Sequence, residues 1–541
     1  MQRSGLLFWG SALAVVGALG GCFDKGVIVP NPSGAGGGGR SGEGGTGGAG
    51  GAGGSTTSTS TGNEPCELCY DGPPATRGVG ACKDGCLRDG MCDEQVLPAP
   101  EACTEDADET CDGGALCIGE LVESTELGDG GDEYGYDVTF DSQGNTLVAG
   151  SFTGRMGGAR SMGAMDAFVT RRYLDATEPT FKVFGGSGTD HGRLVESGAE
   201  GTVILAGTFQ NSVTFDGIQL NSVAGGTDLF VAKLDGNGNL LWLGQIGGMG
   251  PDAVDGLSVD RDGGIFVAGT TINDVQVFGE PLSGGGGEDI FVAKISPDGE
   301  LLWKRAFGDQ SLQRARDVAA TPDGGAVVVG HFTGSVDFGN GERRASSQDA
   351  FMVKFDAEGN TSWDRVYGDT LDQDLTAVAV GGNGNIYVAG SASGTIVLGG
   401  AQLRSVDETD VVVAAFRADA TALWSGIYPG RGPQTALAVA VDGANNALVA
   451  GEFQEGITIG EARLAATGGK DTFLVKLDPS GEPAWAKHFG GTMDQIPEAV
   501  AVDALGNIAL TGTFWGTMTF GQDVLLTNAG GGGAFLITLR P

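Results

Sequence analysis

Short apolar runs recur along the chain from residue 119 to its end, and they predict strands. Residues 376–380 and 386–390 are two such runs, separated by a turn rich in Gly and Asn. No stretch repeats its apolar positions at the helical spacing of three and four residues. The second run of each pair is apolar at consecutive positions, which indicates a strand buried on both faces. The pattern therefore predicts an all-β fold of packed sheets.

Three signals indicate that these strands belong to one repeating unit. A strand that ends in glycine recurs about every 60 residues, which is typical of a repeat architecture. A second strand reads Asp-x-Phe-Val-x-Lys or a close variant, and a third carries tryptophan. The glycines are Gly150, Gly207, Gly269, Gly330, Gly390, Gly451 and Gly512; the second strands start at Asp166, Asp228, Asp289, Asp349, Asp410, Asp471 and Gly533; the third signal is Phe181 in the first copy, then Trp242, Trp303, Trp363, Trp424 and Trp485.

Four strands in about 60 residues are typical of one blade of a β-propeller. Residues 119–541 divide into seven such units. The region begins with residues 120–128, which suit the outermost strand of a blade, and its last strand, 535–539, is of the second kind. If the N-terminal strand completes the last blade, both terminal sheet edges are paired. We therefore predict a seven-bladed propeller over 119–541, closed by its N-terminal strand.

The repeat also resembles a known family. The run Asp289-Ile-Phe-Val-Ala-Lys294, followed by Gly299-Glu-Leu-Leu-Trp303, is similar to the bacterial seven-bladed β-propeller repeat, or SBBP-like, family. The resemblance covers nearly all of residues 119–541. It implies a propeller in an extracytoplasmic protein, and it implies no particular reaction or ligand.

The first 62 residues predict an export signal and a tether. Residues 6–19 are apolar, too short a run to span a bilayer, and Arg3 precedes them. Residues 19–22, Leu-Gly-Gly-Cys, resemble a bacterial lipobox. That resemblance implies removal of residues 1–21, a lipid on Cys22, and a place in the cell envelope, with the outer membrane or cell surface favoured. An ordinary signal peptide is the alternative. The composition of residues 22–62, mostly Gly, Ser, Thr and Ala, is typical of a disordered tether.

Residues 63–118 predict a small disulfide-rich module. An even number of cysteines in an exported chain favours four disulfides, whose pairing the sequence leaves open. The spacing Cys66-x-x-Cys69 leaves a zinc site as the rival. The cysteines are Cys66, Cys69, Cys82, Cys86, Cys92, Cys103, Cys111 and Cys117.

Part of this module, residues 96–113, resembles an acidic metal-binding motif of myxobacterial-type surface proteins. Thr110 stands where that family carries a carboxylate. The remaining carboxylates offer the hard oxygen ligands that Ca²⁺ prefers. A solvated acidic loop between disulfides is the alternative. The candidate Ca²⁺ ligands are Asp106, Asp108, Glu109 and Asp112.

Charge narrows the range of partners. Asp and Glu number 69 and Lys and Arg 31, so the formal net charge is −38. A nucleic-acid-binding protein needs a basic footprint, and so does electrostatic docking on anionic lipid, so both classes are excluded. The membrane contact that remains is the lipid on Cys22. We expect the propeller itself to be monomeric.

The repeats offer few candidates for catalysis. They contain no nucleophile elbow, zinc-protease motif or P-loop. His191, His331 and His488 belong to different columns of the repeat, so we do not expect them to converge on a metal.

One column of the repeat is acidic or amide in all seven blades and precedes the innermost strand. Ring closure would place it around one mouth of the channel, where it could bind a cation or a sugar. The alternative is that each side chain caps its own turn. The column consists of Glu133, Asp190, Asp252, Gln313, Gln373, Gln434 and Gln495.

These observations favour a non-catalytic, lipid-anchored surface protein whose propeller binds a glycan, a protein or Ca²⁺. No cofactor other than Ca²⁺ is suggested. A propeller enzyme acting on polysaccharide and a purely structural spacer are the alternatives. The regular spacing of the repeats argues against an enzyme, because an active site needs unlike residues that converge.

Overall fold

The computed structural model describes residues 119–541, apart from 174–178, 521–522 and 529, and the backbone of three short strands before them. These strands are Leu68–Cys69, Gly85–Arg88 and Met91–Asp93, which form one antiparallel sheet. The predicted signal peptide and tether, the lipid site Cys22, the disulfides and the candidate ligands Asp106, Asp108, Glu109 and Asp112 lie outside the described residues. Among the described residues, no helix has the length and apolar character needed to cross a membrane.

Each repeat folds into four antiparallel strands, A to D from the channel outward. The A strands are Glu133–Phe140, Asp190–Ser197, Ala253–Val259, Gln313–Ala320, Gln373–Val380, Gln434–Val441 and Gln495–Val502. The B strands are Thr146–Phe152, Val203–Gln210, Ile265–Ile272, Ala326–Phe332, Ile386–Ala392, Ala447–Phe453 and Ile508–Phe514. The C strands are Asp166–Arg172, Thr227–Leu234, Glu288–Ile295, Asp349–Phe355, Asp410–Phe416, Asp471–Leu477 and Gly533–Leu539. The D strands are Thr180–Phe184, Leu240–Gly248, Leu301–Phe307, Thr361–Tyr367, Ala422–Tyr428, Pro483–Gly490 and, for blade 7, Leu121–Leu127.

The four-stranded sheets close into a ring. Each A strand contacts the A strand of the next sheet, and the last contacts the first. Leu121–Leu127 pairs with Gly533–Leu539 and completes the last sheet. The predicted all-β propeller, closed by its N-terminal strand, is therefore confirmed. A further three-stranded sheet, Gly430–Arg431 with Gly456–Ile459 and Ala462–Ala465, lies where blade 5 meets blade 6. The described part of 119–541 thus holds eight sheets of three or more strands, seven of which are the repeat blades.

A hairpin that the sequence did not predict lies between strands B and C of every blade. In blades 3 and 7 it pairs with strand D of the preceding blade, through Gly248 with Val275 and Gly490 with Thr519. It therefore ties neighbouring blades together. The hairpins are Arg155–Met156 with Ala159–Arg160, Ser212–Phe215 with Ile218–Asn221, Val275–Val277 with Glu280–Leu282, Ser335–Asp337 with Glu342–Arg344, Thr395–Leu398 with Ala401–Arg404, Gly456–Ile459 with Ala462–Ala465, and Thr517–Phe520 with Asp523–Thr527; short 3₁₀ turns span Ala199–Gly201 and Val223–Gly225.

The core lies in the B and C strands. Every residue of Thr146–Phe152 is buried, as expected for a strand packed between neighbouring sheets. The strand glycine makes room for the phenylalanine of strand C. A Cβ at Gly269 would lie 2.8 Å from the ring of Phe291, which is itself fully buried. These two repeat signals therefore encode one packing contact.

The two ends of the Asp-x-Phe-Val-x-Lys strand hold connections on opposite faces of the propeller. The loop face carries the D–A and B–C connections, and the turn face carries the A–B and C–D turns. On the loop face, Asp289 accepts a hydrogen bond from the Gly285 N–H at 2.7 Å. Towards the turn face, Lys294 forms an ion pair of 2.9 Å with Asp260 in the A–B turn. The motif is therefore explained by structure alone.

Tryptophans connect four of the blades to the next blade in the ring. Trp303 Nε1 donates to the carbonyl of Ala357 in the C–D turn of blade 4 at 2.9 Å. Its ring lies so close to Gly359 that a Cβ there would be 2.6 Å from a ring atom. We call the position on strand D that carries this residue the latch slot. The same hydrogen bond is made by Trp242 to Pro297, Trp363 to Ala418 and Trp424 to Pro479, each at 3.0 Å.

The placement of Phe181 in this column was wrong. Thr180 pairs with Arg171 as Trp303 pairs with Lys294, so Thr180 occupies the latch slot of blade 1. Phe181 lies one residue further along, where it packs against Phe168 with ring centroids 6.2 Å apart. A one-residue slip reverses the face of a strand residue, and an aromatic side chain alone does not fix the register.

Candidate functional site at the channel mouth

The predicted ring of acidic and amide side chains begins or just precedes strand A at the loop face, and it is buried in every blade. Asp252 accepts from the Gly248 N–H at 3.0 Å, and Gln313 accepts from the Asp309 N–H at 3.0 Å. These side chains therefore cap their own turns, which is the alternative that the sequence left open. Binding of a cation or a sugar by this column stays a prediction. Exposed fractions run from 0% to 3% over Glu133, Asp190, Asp252, Gln313, Gln373, Gln434 and Gln495.

Burial changes the titration of the acidic members of this column. Loss of solvation raises the pKa of Asp190 to about 7, against the opposing effect of the Gly186 N–H. It raises the pKa of Asp252 to about 7 in the same way, with the Ile272 and Gly248 N–H groups opposing. Both carboxyls are therefore protonated in mild acid, when they resemble the neutral glutamines of the later blades.

The positions one and three residues after this column differ from blade to blade. A β-bulge follows in every A strand and turns the chain at this point. Their side chains meet across blades, which places them at the channel. The first set is Tyr134, His191, Ala253, Arg314, Asp374, Thr435 and Ile496, and the second is Tyr136, Arg193, Asp255, Arg316, Thr376, Leu437 and Glu498.

Blades 1 and 2 together form an aromatic and basic cluster. The Tyr136 hydroxyl lies 3.3 Å from His191 Nδ1, and Ser151 Oγ lies 3.1 Å from each of them. The Arg193 guanidinium lies 4.3 Å from the centre of the Tyr136 ring, within cation–π range. Burial and the neighbouring Arg193 lower the pKa of His191 to about 3. The imidazole is therefore neutral, and it sits beside two hydroxyls and a guanidinium.

Blades 4 and 5 contribute a buried ion pair. Arg316 donates to Asp374 Oδ2 through Nε at 3.0 Å and through a terminal nitrogen at 2.7 Å. His331 Nδ1 lies 2.9 Å from the other carboxylate oxygen. Burial opposes ionisation of Asp374, but Arg316 and His331 hold its pKa below the usual range. This carboxylate is thus charged and fully occupied.

Two further carboxyls complete the cluster. Burial raises the pKa of Asp255 to about 7 even though Arg316 and Arg193 oppose the shift. Burial likewise raises the pKa of Glu498 on blade 7 to about 8, again against Arg193. The channel wall formed by blades 7, 1, 2, 3 and 4 is therefore polar and titratable.

The described residues contain no group of three or more His, Cys, Asp or Glu side chains that could hold a metal ion. The three histidines have separate partners. His191 and His331 bond as above, and His488 Nε2 lies 2.7 Å from Asp471 Oδ2.

Sequence reasoning missed this cluster, although a signal for it was present. Neither catalytic motifs nor columns that keep one residue type reveal these residues. At the channel the informative columns are those that change: Tyr136, Arg193, Asp255, Arg316 and Glu498 share one position of the repeat. Convergence of unlike residues marks a site in a symmetric fold.

No family model matches the chain. It is similar to an uncharacterized WD repeat-containing protein of Acanthamoeba polyphaga mimivirus, with 21% identity over 432 residues, covering 62% of this chain and 31% of that protein. It is also similar to the regulatory protein FlaEY of Caulobacter vibrioides, with 25% identity over 138 residues, covering 24% of this chain and 14% of that protein. The chain thus spans about a third or less of these curated relatives.

The chain is also similar to several solved structures, each at low identity. A protein of unknown function from Dyadobacter fermentans gives a TM-score of 0.38 at 10% identity, covering 79% of this chain and 100% of that one. The polysaccharide lyase Uly1 gives 0.41 at 9% identity, covering 78% and 99%. YCF48 bound to a D1 peptide gives 0.35 at 10% identity, covering 79% and 96%. The chain is a β-propeller protein with WD-repeat and propeller-structure neighbours.

Proposed function

We propose that this protein is a non-catalytic, lipid-anchored protein of the cell envelope whose propeller binds a polar ligand at the loop-face mouth of its channel. The observation that carries the proposal is the convergence of Tyr136, His191, Arg193 and Asp255 from three successive blades of a repeating scaffold. The lipobox-like segment ending at Cys22 and the Gly-rich stretch after it support the envelope placement.

The chemistry of the mouth favours a ligand that carries hydroxyl and anionic groups. Arg193 supplies positive charge in a protein whose net charge is −38. The half-buried ring of Tyr134, which stacks on that of Tyr136 with centroids 6.2 Å apart, supplies apolar surface of the kind that packs against a sugar ring. A surface glycan that bears carboxylates combines both features.

The experiment measures binding of the full chain to a panel of neutral and acidic polysaccharides and to producer-cell surfaces. Arg193→Gln is expected to weaken binding at least tenfold, because a buried charge-assisted contact is lost. Arg344→Gln is the matched control, since this arginine lies on the outer hairpin of blade 4 with its side chain 75% exposed. Equal binding by wild type and Arg193→Gln would contradict the proposal.

One observation favours an enzyme as the second candidate. His191 Nδ1 lies within hydrogen-bond distance of the Tyr136 and Ser151 hydroxyls, which is the geometry that a proton relay requires. The same panel is therefore assayed for cleavage of the polysaccharide. Turnover that His191→Asn abolishes would establish the enzyme and reject the non-catalytic role. Binding that persists in chelator would assign the ligand to the channel rather than to Ca²⁺ in the cysteine-rich module.

A further inference from the structure

The boundary between blades 1 and 2 differs from the other blade boundaries at the latch slot. Five blades carry Trp there, and blade 7 carries Glu123, which accepts a hydrogen bond from Arg172 Nε at 2.9 Å. Blade 1 carries Thr180, whose side chain cannot reach the next blade. The C–D turn of blade 2 nevertheless has the same form as its counterparts, with Gly238 at φ +78° where Gly299 and Gly359 lie at +87° and +78°.

A cavity occupies the place of the missing indole. Its volume is about 220 Å³, and its lining includes Thr180, Leu147 and Leu234. Leu147 occupies the same position in strand B as Phe266 does in blade 3. Leu234 ends strand C of blade 2, as Phe355 ends strand C of blade 4. Those two phenylalanines flank Trp303 with ring centroids 6.0 and 6.2 Å away. The cavity is therefore the space that an indole at the latch slot of blade 1 would fill, and we call this space the slot.

Two cationic side chains border this slot. Arg171 donates to the Gly236 carbonyl at 2.9 Å, the bond that Trp303 makes to Ala357 at its own boundary. The stem of Lys182 lies over Gly238, where a Cβ would come within 2.6 Å of Lys182 Cγ. A flexible lysine thus covers the glycine that a rigid indole covers elsewhere. An aromatic ring entering the slot would also gain cation–π contact with the Arg171 guanidinium.

We propose that this slot is a second binding site, separate from the channel mouth, and that it accepts a tryptophan side chain of an extended segment of a partner protein. The slot offers an incoming indole the apolar walls, the turn glycine beneath the Lys182 stem and the turn carbonyl, which are the features that hold the molecule's own tryptophans. The Gly236 carbonyl has a second lone pair for the indole N–H beside the bond from Arg171. A cavity of about 150 Å³ suffices for a benzene ring in other proteins.

The test uses the full chain with indole and N-acetyl-tryptophanamide as probes and N-acetyl-leucinamide as the aliphatic control. We expect saturable binding of both aromatic probes by calorimetry, at least tenfold tighter than the aliphatic one. Thr180→Trp fills the slot with the native latch residue, so it should abolish binding and raise the Tm. Ser362→Trp, an exposed position on strand D of blade 4, is the matched control and should leave binding unchanged.

A measurement on the unsubstituted protein keeps the proposal testable even if Thr180→Trp fails to fold. In NMR spectra the backbone amide of Gly238 should shift on titration with indole, while that of Gly299, whose slot is filled by Trp242, should not. Lys182→Ala should tighten binding several-fold, because it uncovers the glycine. Absence of saturable binding, an unmoved Gly238 amide, or binding that Thr180→Trp leaves intact would each overturn the proposal.

Discussion

The inner and outer edges of the same blades follow opposite rules. At the outer edge one residue type recurs, and Trp242, Trp303, Trp363 and Trp424 make the same bond to the next blade. At the inner edge one position changes from Tyr136 to Arg193, Asp255 and Arg316 in consecutive blades. Repetition serves the packing of the ring, because most blade boundaries share one geometry. Variation serves chemistry, because a site needs unlike groups.

The largest expected effect lies at the inner edge. Asp374→Asn should destabilise the propeller by about 3–5 kcal/mol, because it leaves the Arg316 guanidinium buried without its counter-charge. The double variant Arg316→Met with Asp374→Leu should cost much less, since both charges leave together. Denaturant unfolding monitored by tryptophan fluorescence measures both. A double variant less stable than Asp374→Asn would show that the ion pair is needed for packing and not merely tolerated.

At the outer edge, two tryptophans of the strand D column can be compared for their contribution to stability. Trp303→Ala should cost about 3–5 kcal/mol, as for other large buried aromatics. Trp485 sits where Gly119 approaches Pro541, and its Nε1 has no hydrogen-bond partner among the described residues. Trp485→Ala should therefore cost about 1 kcal/mol less, the net value of one hydrogen bond. Equal unfolding midpoints for the two variants would contradict this account of the latch.

The smallest expected effect concerns pH. The folded-state pKa of Asp190 and that of Asp252 are raised to about 7, above the ordinary value of about 3.9 for an unfolded chain. Their contribution to stability is therefore complete below about pH 4 and is lost as the pH rises towards 7. Calorimetry should give a Tm that falls over this range. Asp252→Asn should flatten the fall by about 1–2 °C, whereas Asp235→Asn, on an exposed turn, should not.

Much of the scaffold was predictable because its signals are local and repeated seven times. The strand glycine and the Phe of strand C, such as Gly269 and Phe291, mark one packing contact that recurs in five of the blades. The closing strand was predicted from the order of strands alone, and Leu121–Leu127 confirms it. The B–C hairpins were missed because their strands are short, and in blades 3 and 7 part of the pairing that holds them is with the preceding blade.

The candidate sites were harder to predict because they depend on contacts between blades. The acidic and amide column was found, but burial and the bonds from Asp252 and Gln313 to their own turns became visible only in the folded chain. The latch slot of blade 1 was misplaced by one residue, because an aromatic residue stood beside the true position. Register is decided by cross-strand pairing, which a single strand does not reveal.

The sequence by itself determined the repeat, the all-β propeller and its closure, since alternating turns and apolar runs encode each blade without help from distant residues. Only the tertiary structure decided which side chains share the channel mouth and which latch slot lacks its indole. Tyr136 and Arg316 are distant in the chain, and ring closure brings their blades to one mouth. In the sequence Thr180 is an ordinary strand residue; only in the folded chain does it line a cavity together with the C–D turn of the next blade.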